Sequence, residues 1–219
     1  MKFNTFSLYP ELLLNAEGFG IIGNAIKNNI IQIDNLNLRD FSFDKRGSLD
    51  SPPYGGGAGM VLRVDVLFKA LSSIKEDTYS IMLSASGKKY SQKKAKELSL
   101  KKNITIFSGK YEGFDERFLN FVDEEISLGD FVLSSGDFPT LCLIDSITRL
   151  LPGVLGNKDS LESESFENDL LEYPQYTRPE VFLEKKVPKI LLSGNHKKIE
   201  EYRYKESLKK TNKNRKDLL

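Results

Sequence analysis

Glycine is concentrated in this chain where backbone can be brought against a ligand. Gly55-Gly56-Gly57-Ala58-Gly59, introduced by Pro52-Pro53-Tyr54, places four glycines in five positions. Ordering such a stretch costs more backbone entropy than any other composition, so it is either a floppy linker or, the favoured reading, a loop used where backbone must approach another group closely. It lacks a Gly-Lys-Ser/Thr ending and is not a Walker-type phosphate loop. Ser108-Gly109-Lys110-Tyr111-Glu112-Gly113-Phe114-Asp115-Glu116-Arg117 follows a strand signal and opens a helical one. A glycine at a strand end lets backbone N–H and C=O groups face a ligand, as at the carboxyl edge of an open α/β sheet. The same residues also suit a plain strand–helix turn with capping acids. Glu125 to Pro139 repeats the pattern: a strand, Gly129-Asp130, a short apolar run, then Ser134-Ser135-Gly136 before a helix. Three glycine-bearing turns can converge on one pocket.

Other reactive groups are scarce. Cys142 is the only cysteine and His196 the only histidine, so neither an intrachain disulfide nor a cysteine-cage or multi-histidine metal site can form within one chain. Gly18-Phe19-Gly20-Ile21-Ile22-Gly23 matches the dinucleotide-binding fingerprint letter for letter. That fingerprint belongs in the tight turn directly after the first strand. Here a helical stretch from Pro10 intervenes, which points to a helix break with close packing.

The elements that must position these turns alternate between strand and helix signals. Lys2–Leu8 reads as a strand with Phe6 and Leu8 on one face. Pro10 opens a helix where its missing N–H costs nothing, carried on by Leu12, Leu13, Ile21, Ile22, Ala25 and Ile26. Ile30–Leu38 is strand-like, Val64–Ile74 helical and Tyr79–Leu83 a strand. Ser91 can cap a helix through Leu98. Ile104–Phe107 and Glu125–Leu128 read as strands, Asp115–Phe121 as a short helix and Thr140–Leu151 as a longer one after Pro139. Strands separated by helices imply crossover connections and a mostly parallel sheet, hence an α/β domain over residues 1–156. From Pro152 the rhythm stops. Residues 157–169 are polar and are expected to form a flexible interdomain linker, poorly ordered without a partner. Residues 170–219 then read as a small helical C-terminal domain, with helical character at His196–Thr211.

A net charge of +1 conceals segregation along the chain. Residues 85–110 hold eight lysines against Glu97, residues 112–172 hold fifteen acids against three bases, and residues 181–219 hold twelve Lys/Arg against five acids. A basic tail points to a polyanionic partner or to a solvated helix surface. No run approaches the ~20 apolar residues of a membrane span, and no signal-peptide pattern opens the chain, so a cytoplasmic soluble protein is expected.

Taken in order, Pro53-Tyr54-Gly55-Gly56-Gly57-Ala58-Gly59-Met60, Tyr111-Glu112-Gly113 with Asp115-Glu116-Arg117, the turn at 129–139, Arg149 with Pro152–Gly156, Tyr176–Pro179 and Leu192–His196 closely resemble the bacterial tRNA (guanine-N1)-methyltransferases. The resemblance runs from the first strand to Leu219. It implies an α/β domain with a deep trefoil knot, a rare exception to unknotted topology. It also implies a homodimer with active sites at the subunit interface, and a helical C-terminal domain that grips tRNA. The implied reaction moves a methyl group from S-adenosylmethionine to N1 of the guanine just 3′ of the anticodon.

Carried over residue by residue, the cofactor contacts fall on Leu83, Ser84, Gly109, Tyr111, Glu112, Leu128, Gly129, Asp130, Phe131, Val132, Leu133, Gly136 and Pro139. The implied catalytic pair is Glu164 as general base and Arg149 as the cation on O6. The family's use of magnesium is compatible with this, with no protein ligand assigned. The chain departs from the family pattern at Ala85-Ser86 in place of Pro-Gln, Ser135-Gly136 in place of paired glycines, Lys110 in place of arginine, Tyr202 in place of tryptophan, and Glu164 in place of the usual aspartate. A non-catalytic tRNA-binding relative is the alternative, and Arg149 with a carboxylate at 164 argues against it. An oxidoreductase built on glycines 18–23 fails on the context of its turn.

Overall fold

The strand and helix signals of the first 150 residues assemble around five parallel strands. The computed structural model describes residues 1–156, 164–166 and 168–219. Of the segment 157–169 expected as a linker, residues 157–163 and 167 lie outside the described residues. The chain divides into two compact units, Met1–Gly156 and Asn157–Leu219.

In the first unit, strands β1 (Lys2–Ser7), β2 (Gln32–Asn37), β5 (Tyr79–Lys89), β6 (Asn103–Ser108) and β7 (Glu124–Ser127) form one sheet in the order β2-β1-β6-β5-β7. Every pairing in it is parallel. Two-residue strands β3 (Asp50–Ser51) and β4 (Val61–Leu62) pair antiparallel beside it.

Parallel strands buried on both faces need apolar side chains in both directions, and alternation supplies them. Phe3, Ile81, Ile104, Ile106 and Ile126 pack on one face against Ile22 and Ala25 of α2 (Gly20–Lys27), Leu98 of α4 (Gln92–Ser99), and Leu143, Ile144 and Ile147 of α5 (Asp137–Thr148). Phe6, Met82 and Phe107 pack on the other face against Val66, Leu67 and Ala70 of α3 (Val64–Ser72) and against Phe118 of a 3-10 turn at Glu116–Asn120. Phe6 and Phe107 stack with ring centroids 4.7 Å apart. The sheet is therefore the middle of three layers.

Two expectations change in detail. The helical stretch from Pro10 is two helices, α1 (Pro10–Ala16) and α2, broken at Glu17–Phe19. Gly23 explains the break: a side chain there would lie 2.9 Å from the Glu17 carbonyl oxygen and the Gly18 carbonyl carbon. Of the fingerprint glycines, Gly23 thus serves chain packing and Gly20 supplies a positive φ of 58°. The helix expected after Pro139 starts at Asp137, with Pro139 inside its first turn, where proline is tolerated. Ser91 caps α4 as its position suggests, accepting from the Lys94 N–H at 3.3 Å.

In the second unit, α6 (His196–Asn214) is joined by a two-residue hairpin of β8 (Val181–Phe182) and β9 (Lys185–Lys186). Among the described residues, no helix is long and apolar enough to cross a membrane.

Candidate active site

Strand β5 leaves the sheet and returns to the same neighbour. Leu83 pairs with Ile126, the next four residues arch away, and Lys88 pairs with Ile126 again. The approach is possible because residue 87 is glycine: a Cβ there would sit 2.6 Å from Ile126 backbone atoms. Ser84, Ala85 and Ser86 of the arch form one wall of a cleft of about 460 Å³. Ser86 Oγ donates to Glu125 Oε1 at 2.9 Å, fastening the arch to β7.

The second wall is the turn after β6. Its strand runs straight into Gly109, and the Gly136 N–H donates to the Gly109 carbonyl at 2.8 Å. Lys110 and Ser135 form an antiparallel bridge beside that bond. The approach is again too close for a side chain, since a Cβ on Gly136 would lie 2.6 Å from the Gly109 nitrogen. Tyr111 takes a left-handed φ of 59°, unusual for a non-glycine residue and characteristic of strained functional turns. The Arg117 guanidinium beside Asp115, 2.6 Å away, holds that carboxyl below the usual carboxylate range.

The glycine-rich segment 53–60 docks on this turn. The Glu112 N–H donates to the Met60 carbonyl at 3.0 Å, and the Leu62 N–H to the Gly113 carbonyl at 2.9 Å. Gly55, Gly56, Gly57 and Gly59 all have positive φ, and a side chain at Gly59 would overlap the Glu112 carboxylate. The segment supports the site turn from behind, a role its composition left open.

The third wall is the turn 128–136. The cleft gathers Leu83, Ser84, Gly109, Tyr111, Glu112, Leu128, Gly129, Phe131, Val132, Leu133, Gly136 and Pro139. Asp130 points elsewhere, pairing with Lys89 Nζ at 2.6 Å on the surface. Ala85, Ser86, Lys110, Phe114, Glu116 and Glu125 also line the cleft. Ala85-Ser86 stand where the family pattern has Pro-Gln, and Gly87 directly after them is the local signal for a return that the strand reading Tyr79–Leu83 stops short of.

Arg149 stands elsewhere in the first unit. It is the C-cap of α5, while Gly136 is the N-cap at the cleft. Glu164 belongs to the second unit and is half-buried. Beside it, Ser165 Oγ accepts from the Glu172 N–H at 3.0 Å, and the Phe166 N–H donates to the Leu170 carbonyl at 2.7 Å. The Arg215 guanidinium lies 5.5 Å from the Phe166 ring centroid. His196, the only imidazole, is exposed at the start of α6. Among the described residues, no three histidine, cysteine or acidic side chains gather as a metal site.

The profile of the family described as "tRNA (Guanine-1)-methyltransferase TrmD" matches residues 1–219. The chain belongs to this family. Relatives named tRNA (guanine-N(1)-)-methyltransferase agree with it along its whole length. The protein of Metamycoplasma arthritidis is 48% identical over 220 residues, covering all of this chain and 96% of the relative. That of Carboxydothermus hydrogenoformans is 47% identical over 221 residues, covering 87% of the relative. That of Dictyoglomus turgidum is 46% identical over 220 residues, covering 90% of the relative. The methyltransferase therefore carries its cleft at the carboxyl edge of a parallel sheet, where open α/β sheets hold their ligands.

Proposed function

We propose that this enzyme transfers a methyl group from S-adenosylmethionine to N1 of the guanine just 3′ of the anticodon in tRNA. The observation that carries the reading is the convergence of the β5 arch, the turn after β6 and the turn 128–136 on one cleft, in a chain matched along its full length by this family. The cleft fits the cofactor in size and chemistry. Its volume lies within the ~300–1,000 Å³ of small-molecule sites. Leu83, Leu128, Phe131 and Leu133 offer apolar surface for a nucleoside, backbone at Gly109 and Gly136 is bare of side chains, and Glu112, Glu116 and Glu125 suit a cationic methionine end.

When bound, the cofactor supplies an electrophilic methyl group. The rest of the work falls to the chain. Guanine N1 carries a weakly acidic lactam proton and is a poor nucleophile until that proton leaves. Glu164 is assigned to take it, and Arg149 to hold the negative charge that builds on O6; each kind of help is typically worth about 10²–10³-fold. The cleft turns hold the reacting groups in line.

The reading includes a homodimer whose active site is shared. Arg149 is separated from the cleft of its own chain by the length of α5, and a second copy brings another Arg149. Phe131, Val132, Leu133 and Phe138 leave an apolar surface around the α5 N-terminus, as an interface requires. The reading also includes the trefoil knot. The chain passes from β6 over β5 to β7, and the turn 128–136 then runs back to Gly109 at the end of β6, the kind of return that a threaded chain needs. The second unit is assigned to tRNA, with exposed Lys209 and Lys213 along α6. A tRNA-modifying role places the enzyme in the cytoplasm.

The test is methyl transfer to unmodified tRNA transcripts bearing G or A after the anticodon, with calorimetry against S-adenosylhomocysteine and NAD. Methylation of the G transcript alone and binding of S-adenosylhomocysteine alone are expected. Binding of NAD instead would overturn the reading.

A further inference from the structure

The eight lysines of residues 85–110 look like one basic run in the sequence, yet the fold divides them between two edges of the sheet. Strand β5 ends at Lys89 and α4 begins at Gln92, so Lys88, Lys89 and Lys93 stand at the carboxyl edge. Helix α4 then carries the chain back to the start of β6, leaving Lys101 and Lys102 at the amino edge. There the Lys102 carbonyl accepts from the Lys2 N–H at 2.8 Å, and Lys101 Nζ lies 4.4 Å from the Tyr79 ring centroid.

We propose that Lys88, Lys89 and Lys93 form a phosphate-binding face of the first unit that holds tRNA backbone beside the cofactor cleft. The inference rests on the reading that tRNA is the substrate and adds a second contact surface to it. A separate concavity of about 260 Å³ lies between these lysines, Lys94, Glu97 and Glu124. Charge is unevenly spent within it. Lys94 Nζ lies 2.7 Å from Glu97 and 3.1 Å from Glu124, so one lysine engages both acids. Lys89 pairs with Asp130, but both side chains are largely exposed, and such a pair contributes little and exchanges readily for another anion. Lys88 and Lys93 are exposed and form no ion pair among the described residues. The concavity is left with surplus positive charge.

Its position fits the role. Ile126 lines both this concavity and the cofactor cleft, so the two adjoin across the end of β7. A polyanion with one nucleotide in the cleft has only the shared wall at Ile126 between it and these lysines, and charges act over ~8–10 Å at physiological salt. Lysine supplies point charges that bind phosphate without reading sequence, as backbone contacts require.

The test uses the full-length Lys88→Gln/Lys93→Gln enzyme, with Lys101→Gln/Lys102→Gln as a control of equal charge change at the opposite edge. Binding of an unmodified tRNA transcript is measured from 50 to 200 mM KCl, and S-adenosylhomocysteine affinity by calorimetry. The first variant should lower the salt slope by about 1.4–1.8, since each lost phosphate contact removes about 0.7–0.9. The control should keep the wild-type slope, and both should keep cofactor affinity, which also certifies their folding. An unchanged slope in Lys88→Gln/Lys93→Gln overturns this proposal alone if the wild-type enzyme still methylates tRNA. Equal losses in both variants overturn it too, because net charge would then be the cause. A wild-type enzyme that neither binds nor methylates tRNA overturns the functional reading with it.

Discussion

Gly136 and Arg149 bracket helix α5, Asp137–Thr148, and stand on opposite edges of the sheet, about 20 Å apart at 1.5 Å per residue from cap to cap. Gly136 lines the cleft. Beyond Arg149, a side chain on Gly153 would lie 3.7 Å from Ile30 Cδ1, just ahead of β2 at the amino edge. One chain cannot bring its own Arg149 to its own cleft without dismantling the helix between them.

A shared site makes an unusual prediction. Arg149→Ala and a cleft variant such as Gly109→Val should each be inactive alone. After mixing and subunit exchange, half the dimers are mixed, and one of their two sites is intact, so about a quarter of wild-type activity should return. A site built within one chain would regain nothing, and the methylation assay on the mixture decides between them.

Glu164→Gln should lower single-turnover methylation about 10²–10⁴-fold at saturating tRNA while S-adenosylhomocysteine affinity holds. Glutamine keeps length and hydrogen bonding but cannot accept the N1 proton. Glu164→Asp should stay within about tenfold if the segment absorbs one methylene; a larger loss would mean the backbone is set for glutamate, since a ~1 Å misplacement can cost about 10²-fold. Near-wild-type rates for the glutamine variant would move the base elsewhere.

Gly136→Ala should destabilise the fold by about 1–3 kcal/mol and weaken S-adenosylhomocysteine binding. The added methyl meets backbone, at 2.6 Å from the Gly109 nitrogen and 2.8 Å from the Ser108 Cα, so no flexible side chain can yield. Gly18→Ala, whose nearest contact would be 3.9 Å away, should stay within about 0.5 kcal/mol. Urea midpoints of the two variants provide the comparison.

Tyr90 predicts an alkaline effect. Burial pushes its phenol up to about 12, partly opposed by a 2.7 Å hydrogen bond with Ser146. Below about pH 10 the phenol is neutral in both folded and unfolded chains and stability is complete. Between about 10 and 12 the unfolded chain loses the proton and the folded one keeps it, so stability falls as pH rises. Tyr90→Phe should cost about 0.5–1.5 kcal/mol at pH 8 through the lost hydrogen bond, yet lose less than wild type between pH 8 and 11. Parallel losses in the two proteins would show that Tyr90 does not titrate in that range.

Much of this architecture was legible because its signals are local. Ser91 sits where a cap must sit, and the spacing of Leu143, Ile144 and Ile147 marks a buried helix face. The cleft turns announced themselves through Gly109, Gly129 and Gly136, each following or preceding an apolar strand or helix. What stayed hidden depends on which distant segments meet. Arg149 follows α5 immediately in the sequence, and nothing in its neighbours tells which edge of the sheet it reaches. Strands of two residues, such as β3 and β8, carry no periodicity to read. The lysines of residues 85–110 form one run in the sequence, and only the reversal through α4 separates them.

The double pairing of Ile126 sets a rule for how the cleft wall can vary. A four-residue arch whose two ends are fastened to one residue has a fixed contour length. Exchanging Ala85 or Ser86 for other side chains alters what the wall presents and leaves the ladder untouched. Inserting a single residue would carry Lys88 off its partner and turn the following side chains to the wrong face, and deleting one would draw the arch flat across Ile126. Chemistry at this wall is open to redesign by substitution and closed to it by insertion or deletion.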